Sequence, residues 1–292
     1  MFLFFPEIDG VESAKSKTSW LKMSNLPLYL VTFLAYSALG AFFWRAQLTG
    51  KADVLNRGML VHAILFPLAL HGYLLYDNLL VGGELNLGVM SALSLILWLT
   101  MAVYWMASFF YPLAGLQTLV LPLVAVGAVL PALFPAVHML SQRHSWAFDA
   151  HIFVAMLAYS LLTIAALHAG LMSLVERRLH HAALPPLLLS LPPLLTMETL
   201  LFRLIGAGFI LLTLTLVSGM VFSEQIFGRP WQFNHKMLFG FISWGVFAVL
   251  LLGHHFQGWR GRTAVRWMMS GFVFLLLAYL GTKFVLEVLL HR

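Results

Sequence analysis

Long apolar runs separated by short polar or basic breaks dominate the chain. They fall at 26–44, 59–76, 87–107, 112–134, 150–174, 200–222, 237–253 and 268–289. Each run, with its ends, is long enough for a helix to cross about 30 Å of hydrocarbon. Backbone groups find no water partner in lipid, so helices are the expected spanning element. The pattern predicts an all-α fold, a polytopic transmembrane helical bundle of about eight spans. The stretch 184–194 is also apolar, but Pro185, Pro186, Pro192 and Pro193 break it. It reads as an interfacial connector and not a ninth span. No internal repeat stands out, which weakens an inverted-repeat transporter reading.

Composition agrees with the pattern. Of 292 residues, 61% are hydrophobic and 10% charged, where an average soluble domain has about 25% charged residues. So few charges cannot cover a water-soluble surface, and lipid is the expected solvent. The net charge of +6 does not call for nucleic acid, because the basic residues fall in short loops between spans, where they set topology. There is no cysteine. Disulfides, thiolate metal sites and covalent haem attachment through a C-x-x-C-H of the chain's own are therefore excluded. The twelve histidines remain as metal or haem ligands.

Residues 1–22 lack the layout of a secretory signal, since the apolar run is short and the basic residues follow it. They are expected to be a loose tail or a mis-assigned start ahead of Met23, leaving 23–292 as one transmembrane domain. Arg45, Lys51, Arg57, Arg177, Arg178, Arg203, Arg260, Arg262 and Arg266 fall at one membrane face. Arg143, Arg229, Lys236 and Arg292 fall at the other. The positive-inside rule puts the first set in the cytoplasm and both termini outside, with Lys15, Lys17 and Lys22 arguing the opposite way.

With that topology the histidines sort by depth. His151 opens the fifth span and His291 ends the eighth, both at the outer face. A helix N-terminus at His151 would favour the neutral imidazole that a metal needs. The pair could ligate one haem iron, or be two ordinary interfacial histidines. Lys283, Glu287 and His291 form an i, i+4, i+8 stripe. Glu287 could orient the His291 ring, or simply pair with Lys283 near the interface. At the inner face, any two of His62, His168, His254 and His255 could form a second site. His71 lies about 13 Å nearer the outside than His62 and is polar within an apolar span, so it should face the protein interior. The segment 227–239 carries Phe227, Trp231, Phe233 and Phe239 beside Arg229 and Lys236. Such rings stack on a porphyrin and such cations pair with its propionates, although an aromatic belt at the interface has the same make-up.

With its flanks, this segment resembles the tryptophan-rich WWD motif of the cytochrome c assembly family, the CcsA/CcmC-type haem-handling membrane proteins. That motif reads approximately W-G-x-Y-W-x-W-D-P-K-E-x-W. Gly228, Trp231 and Lys236 match it, and Phe227, Phe233 and Phe239 keep its aromatic character. LLLGHHFQGWRGR (250–262) is similar to the family's His followed by a GWRGR-like turn. DAHIFVAMLAYSLLTIAAL resembles its His-led helix, LNLGVMSALSLILW its early segment, and YLGTKFVLEVLLHR its ending. The likeness covers most of 60–292 and is nearest to the small, eight-span YpjD-like branch.

The resemblance implies that His151 and His291 are outer axial ligands of a haem b, and that His254 ligates an intramembrane haem with His71 or His62 as partner. It implies a haem-handling factor of a bacterial inner membrane that works with haem and with other assembly proteins or apocytochrome. The motif's Asp, Pro and acidic residue are here Asn234, His235 and Met237. Thioether-forming synthase activity is therefore not expected. Two rival readings remain, a secondary transporter or channel using Arg203, Lys283 and Glu287 on a substrate path, and a b-type electron-transfer cytochrome.

Overall fold

A helix is the one element that pairs its own backbone in hydrocarbon, and helices account for nearly all of the described residues. The computed structural model describes residues 8–49, 62–81, 84–86, 88–111, 113, 115–134, 139–140, 146–179, 191–221 and 235–281. Among these are α1 (Ile8–Leu48), α2 (Leu65–Leu79), α3 (Val89–Ala107) and α4 (Gln117–Leu133). They are followed by α5 (Trp146–Leu179), α6 (Leu194–Val221), α7 (His235–Gln257) and α8 (Gly261–Leu276). A π-helical turn, Leu277–Gly281, continues α8. Each of the eight expected spans overlaps one of these helices. The stretches Asn25–Leu48, Val89–Ala107, Trp146–Arg177, Leu194–Val221 and Lys236–Gln257 are long and apolar enough to cross a membrane, and Gln117–Leu133 is a shorter apolar helix. The chain is thus an integral membrane protein by helix length and composition.

Several boundaries differ from the apolar runs, and the reasons are physical. α1 begins at Ile8, so helix runs back through most of the segment expected to be a loose tail. α6 begins at Leu194, directly after Pro193, whose carbonyl accepts from the Thr196 and Met197 amides. Proline ends the preceding chain and primes the helix behind it. α8 begins at Gly261, ahead of the expected 268. Its first turns carry Arg262 and Arg266, and an apolar count stops short at arginines whose stems still lie along the helix. Most of the connector 184–194 lies outside the described residues.

A small antiparallel sheet was not expected. Leu80–Val81 pairs with Glu84–Asn86, which pairs in turn with Met139–Leu140. It joins the α2–α3 and α4–α5 connections at one end of the bundle. Strands of two or three residues are too short for alternation to reveal them.

Packing follows helical spacing. On α6, Leu201, Ile205, Gly208 and Leu212 are buried, while Ile210, Leu214, Val217 and Val221 form an exposed apolar stripe. Water would not tolerate that stripe, whereas lipid does. α5 lies along α6, α1 against α4, α7 against α8, and α3 bridges α4 and α5. Polar groups pair inward between helices. Asn25 donates to Asp77 at 2.7 Å and Ser91 donates to Asn78 at 2.9 Å. Trp98 Nε1 donates to the Leu68 carbonyl at 2.8 Å. The bundle therefore has two ends. One holds Asn25, Asp77, the sheet and the start of α5. The other holds the basic α7–α8 turn, the start of α6 and the end of α5.

Leu121 is fully buried against α1, whereas Leu195 is 67% exposed. Leu121→Ala is expected to destabilise the bundle by about 2 kcal/mol through the void it leaves, and Leu195→Ala by less than about 0.5 kcal/mol. Equilibrium unfolding of both variants in mixed micelles measures the difference.

Candidate functional site

The turn between α7 and α8 is built by its own sequence. The Trp259 indole packs directly over Gly253, where an added Cβ would lie 2.5 Å from Trp259 Cδ2. Only glycine leaves that space. Gly258, at φ +67°, takes the left-handed conformation that reverses the chain, which glycine adopts at little cost. The reversal brings the Trp259 carbonyl back over the end of α7. There it accepts from His254 Nδ1 at 2.9 Å, and the Trp259 amide donates to the Gly253 carbonyl at 3.2 Å. A carbonyl can only accept, so the His254 proton sits on Nδ1 and the lone pair on Nε2.

The same turn is clipped to its neighbours. The His254 ring stacks on Phe202 of α6 with centroids 3.5 Å apart and planes 14° from parallel. Trp259 stacks on Trp267 of α8 at 5.3 Å. Arg260 pairs with Glu198 at 3.4 Å and Arg262 with Glu176 at 3.0 Å. Both arginines are largely exposed, so each pair contributes at most about 1 kcal/mol. Their role is registry. They hold the ends of α5, α6, α7 and α8 around His254.

At the opposite end, His151 Nδ1 lies 2.8 Å from Ser218 Oγ on α6. Ser218 Oγ also lies 3.1 Å from the Thr215 carbonyl. The hydroxyl can accept from Nδ1 or donate to it, so this contact orients the His151 ring without choosing its tautomer. A partner that orients the ring through Nδ1 is the usual outer support of a histidine ligand. The helix-terminus argument for His151 needs correction. α5 starts at Trp146, so His151 sits in its second turn, where the terminal field has largely decayed. Ser218 orients the ring instead.

The remaining histidines divide between layers. His71 is fully buried in α2, with Nε2 2.9 Å from Ser94 Oγ on α3 and the Tyr36 ring edge-on at 5.9 Å. Its Nδ1 and the Tyr36 hydroxyl are buried without hydrogen-bond partners. His62 is exposed just before α2, its ring 5.8 Å from Phe109 and 6.4 Å from Trp105. His168 donates from Nε2 to the Met197 carbonyl at 2.9 Å, and His255 lies edge-on to Phe256 at 4.8 Å. Among the described residues, no hydrogen bond or ring contact joins two of His62, His71, His168, His254 and His255. No group of three or more His, Asp or Glu there could hold a metal ion. Lys236 is exposed on the first turn of α7. His291, Lys283, Glu287, Gly228, Arg229, Trp231 and Phe233 lie outside the described residues.

The model of the family described as "Cytochrome C assembly protein" matches residues 59–290. The chain belongs to the cytochrome c assembly protein family. It is 34% identical over 139 residues to the inner membrane protein YpjD of Escherichia coli K12, covering 48% of this chain and 52% of that protein. It is 38% identical over 142 residues to a 28.8 kDa protein of Azospirillum brasilense, covering 49% of this chain and 52% of that one. It is also 39% identical over 88 residues to the cytochrome c biogenesis protein CcsA of Prochlorococcus marinus MIT 9215, covering 30% of this chain and 28% of that one. The alignments thus span about half the length of the first two relatives and under a third of the third. The likeness to the family's YpjD-like branch, read first from motifs, stands.

Sequence reasoning missed Ser218, the Trp259 carbonyl and Phe202. One signal was available for the first. His151–Ser218, Leu162–Gly208 and His168–Met197 are successive rungs of the antiparallel α5–α6 pair. Counting back from the α5–α6 connection would have placed Ser218 beside His151. A backbone carbonyl leaves no such trace.

Gly253→Ala is expected to lower Tm by several degrees, since the indole must shift and overpacking costs about 1–3 kcal/mol. Gly245, with nothing within 4 Å of its added Cβ, should tolerate the same change with Tm essentially unaltered. Melting both variants followed by tryptophan fluorescence checks this.

Proposed function

We propose that this member of the cytochrome c assembly family binds haem b in the bacterial inner membrane and passes it to a partner in cytochrome c biogenesis. The observation that carries this reading is at the α7–α8 turn. His254 has its Nδ1 proton held by the Trp259 carbonyl, which leaves Nε2 as the donor atom to iron, and at the other end of the bundle Ser218 orients the His151 ring. The relatives named inner membrane protein and cytochrome c biogenesis protein support the same setting.

His254 serves an intramembrane haem. Phe202 stacked on its ring fixes the imidazole plane, and the Trp259 carbonyl makes Nε2 more basic by accepting from Nδ1. His71 is its partner, with an unpartnered buried Nδ1 to offer. His62 is the alternative partner, since its exposed ring sits beside Phe109. His151 serves an outer haem with His291, and the aromatic segment around Gly228, Trp231 and Phe233 is the platform for the ring. Arg229 and Lys236 meet its propionates. The basic turn then faces the cytoplasm and the sheet end faces outwards. Binding and delivery need no bond-making on the protein, and the departures at Asn234, His235 and Met237 fit a factor that is not itself a synthase.

The test is a pyridine haemochrome assay with a reduced-minus-oxidised spectrum of the detergent-purified protein. His254→Ala should remove at least half of the bound haem, and His151→Ala and His291→Ala should each remove the outer share. Ser218→Ala leaves the ligand in place but removes the group that orients its ring, so haem affinity should fall about tenfold. Unchanged haem content and spectrum in His151→Ala and His291→Ala would overturn the outer site, and wild-type haem in His254→Ala would overturn the inner one.

A further inference from the structure

Gly219 has no backbone reason to be glycine. It lies inside α6, two residues before the end at Val221. A glycine that closes a helix stands beyond the last turn in the left-handed conformation, whereas Gly219 keeps helical dihedrals within α6. In a helix interior glycine is a poor former and alanine the best. The position is not open to lipid either, because Gly219 is buried. Gly206, on the same helix, has nothing within 4 Å of an added Cβ. Gly219 differs in having one close neighbour, the His151 ring.

A Cβ added at Gly219 would lie 3.3 Å from His151 Cε1. Among the described residues no other atom of a neighbouring helix comes within 4 Å of that point. The ring therefore meets α6 by its Cε1 tip and not by its face. The adjoining ring atom, Nδ1, lies 2.8 Å from Ser218 Oγ. Two consecutive residues of α6 thus touch two consecutive atoms of one imidazole that enters from α5. The two contacts do different things. Ser218 sets the rotation of the ring, by keeping Nδ1 on its side. Gly219 sets its reach, because the tip stops against backbone. Together they turn the Nε2–Cδ2 edge away from Ser218.

We propose that Gly219 is a positioning residue for His151, setting the reach at which its Nε2 meets an outer haem iron. The contact stands by itself, and its purpose rests on the haem reading. A metal ligand has to be held within about 0.5 Å of its productive place. With an alanine methyl at 3.3 Å, tighter than ordinary contact, the imidazole must give by a few tenths of an ångström or turn off Ser218. Either move takes up most of that tolerance. Only a hydrogen at position 219 leaves the ring both its hydroxyl partner and its full reach.

The test is a double-variant cycle on the full-length protein in detergent, with His151→Ala and Gly219→Ala made singly and together. The first readout is Tm without added haem. In the wild-type background the methyl meets the ring, so the better helix former should bring no gain, and Tm should stay level or fall. In the His151→Ala background the ring is gone, and Gly219→Ala should raise Tm by about 2 °C. Equal Tm changes in the two backgrounds would overturn the seat. Should Gly219→Ala fail to fold, recovery of folded protein in the double variant supports the seat, and failure of both overturns it.

The second readout is haem titrated into a His254→Ala background, which isolates the outer site. There Gly219→Ala should weaken haem binding about tenfold and raise the high-spin share of the oxidised spectrum, as a displaced axial ligand does. Gly206→Ala, with open space around it, should change neither. Wild-type affinity and spin state in Gly219→Ala would overturn the positioning role. Haem binding in the His254→Ala background that His151→Ala does not reduce would instead overturn the outer haem site itself. The thermal cycle, read without haem, keeps the two failures apart.

Discussion

A polar atom inside hydrocarbon has no water to fall back on, and each one left unpaired costs free energy of the order of a whole hydrogen bond. That constraint organises the rest of the molecule. It makes the spans helices, and it turns their few polar side chains inward to meet one another, as with Asn25 and Asp77 or Ser91 and Asn78. It also governs the histidines. An imidazole in water can change tautomer freely, but one held against the Trp259 carbonyl cannot. Pairing that the membrane demands for stability also fixes which ring nitrogen is presented.

Where the pairing is incomplete, the exceptions carry information. His71 Nδ1, the Tyr36 hydroxyl and His168 Nδ1 are buried without partners. Native structures keep such groups rarely, and usually for a reason. His71 and Tyr36 face each other between α1 and α2. His168 lines a cavity between α3, α5 and α6. Gln47 Oε1 and Trp105 Nε1 are buried unpaired as well, so such atoms are spread through the bundle.

The helices were legible because hydropathy reports solvent directly, and all eight runs overlap helices. Their ends were less so. Arg262 and Arg266 sit within α8, and α1 extends back to Ile8, because helix propensity does not stop where hydropathy falls. The sheet was invisible at two or three residues per strand. At the site, the motif LLLGHHFQGWRGR pointed to His254, and the structure gives each of its parts a task. Gly253 makes room for the indole, Gly258 reverses the chain, and Arg260 and Arg262 anchor it. What no motif could give was the backbone carbonyl on His254 or the serine on His151, because those depend on how one helix end lies against another.

The two controlled histidines also set a limit on mechanism. His254 stacks on Phe202 and His151 meets Ser218, so α6 measures the interval between them. Sixteen residues of helix at 1.5 Å each make roughly 24 Å, most of the hydrocarbon thickness. Two axial ligands of one iron lie on opposite faces of a single ring, so His151 and His254 cannot share a haem. Each needs its own partner at its own depth. If both bind haem, the protein holds two sites at opposite ends of one helix pair, and movement between them requires release from one imidazole before capture by the other. An α5–α6 pair joined by rungs from His151–Ser218 to His168–Met197 suits that division because it keeps the two ends apart.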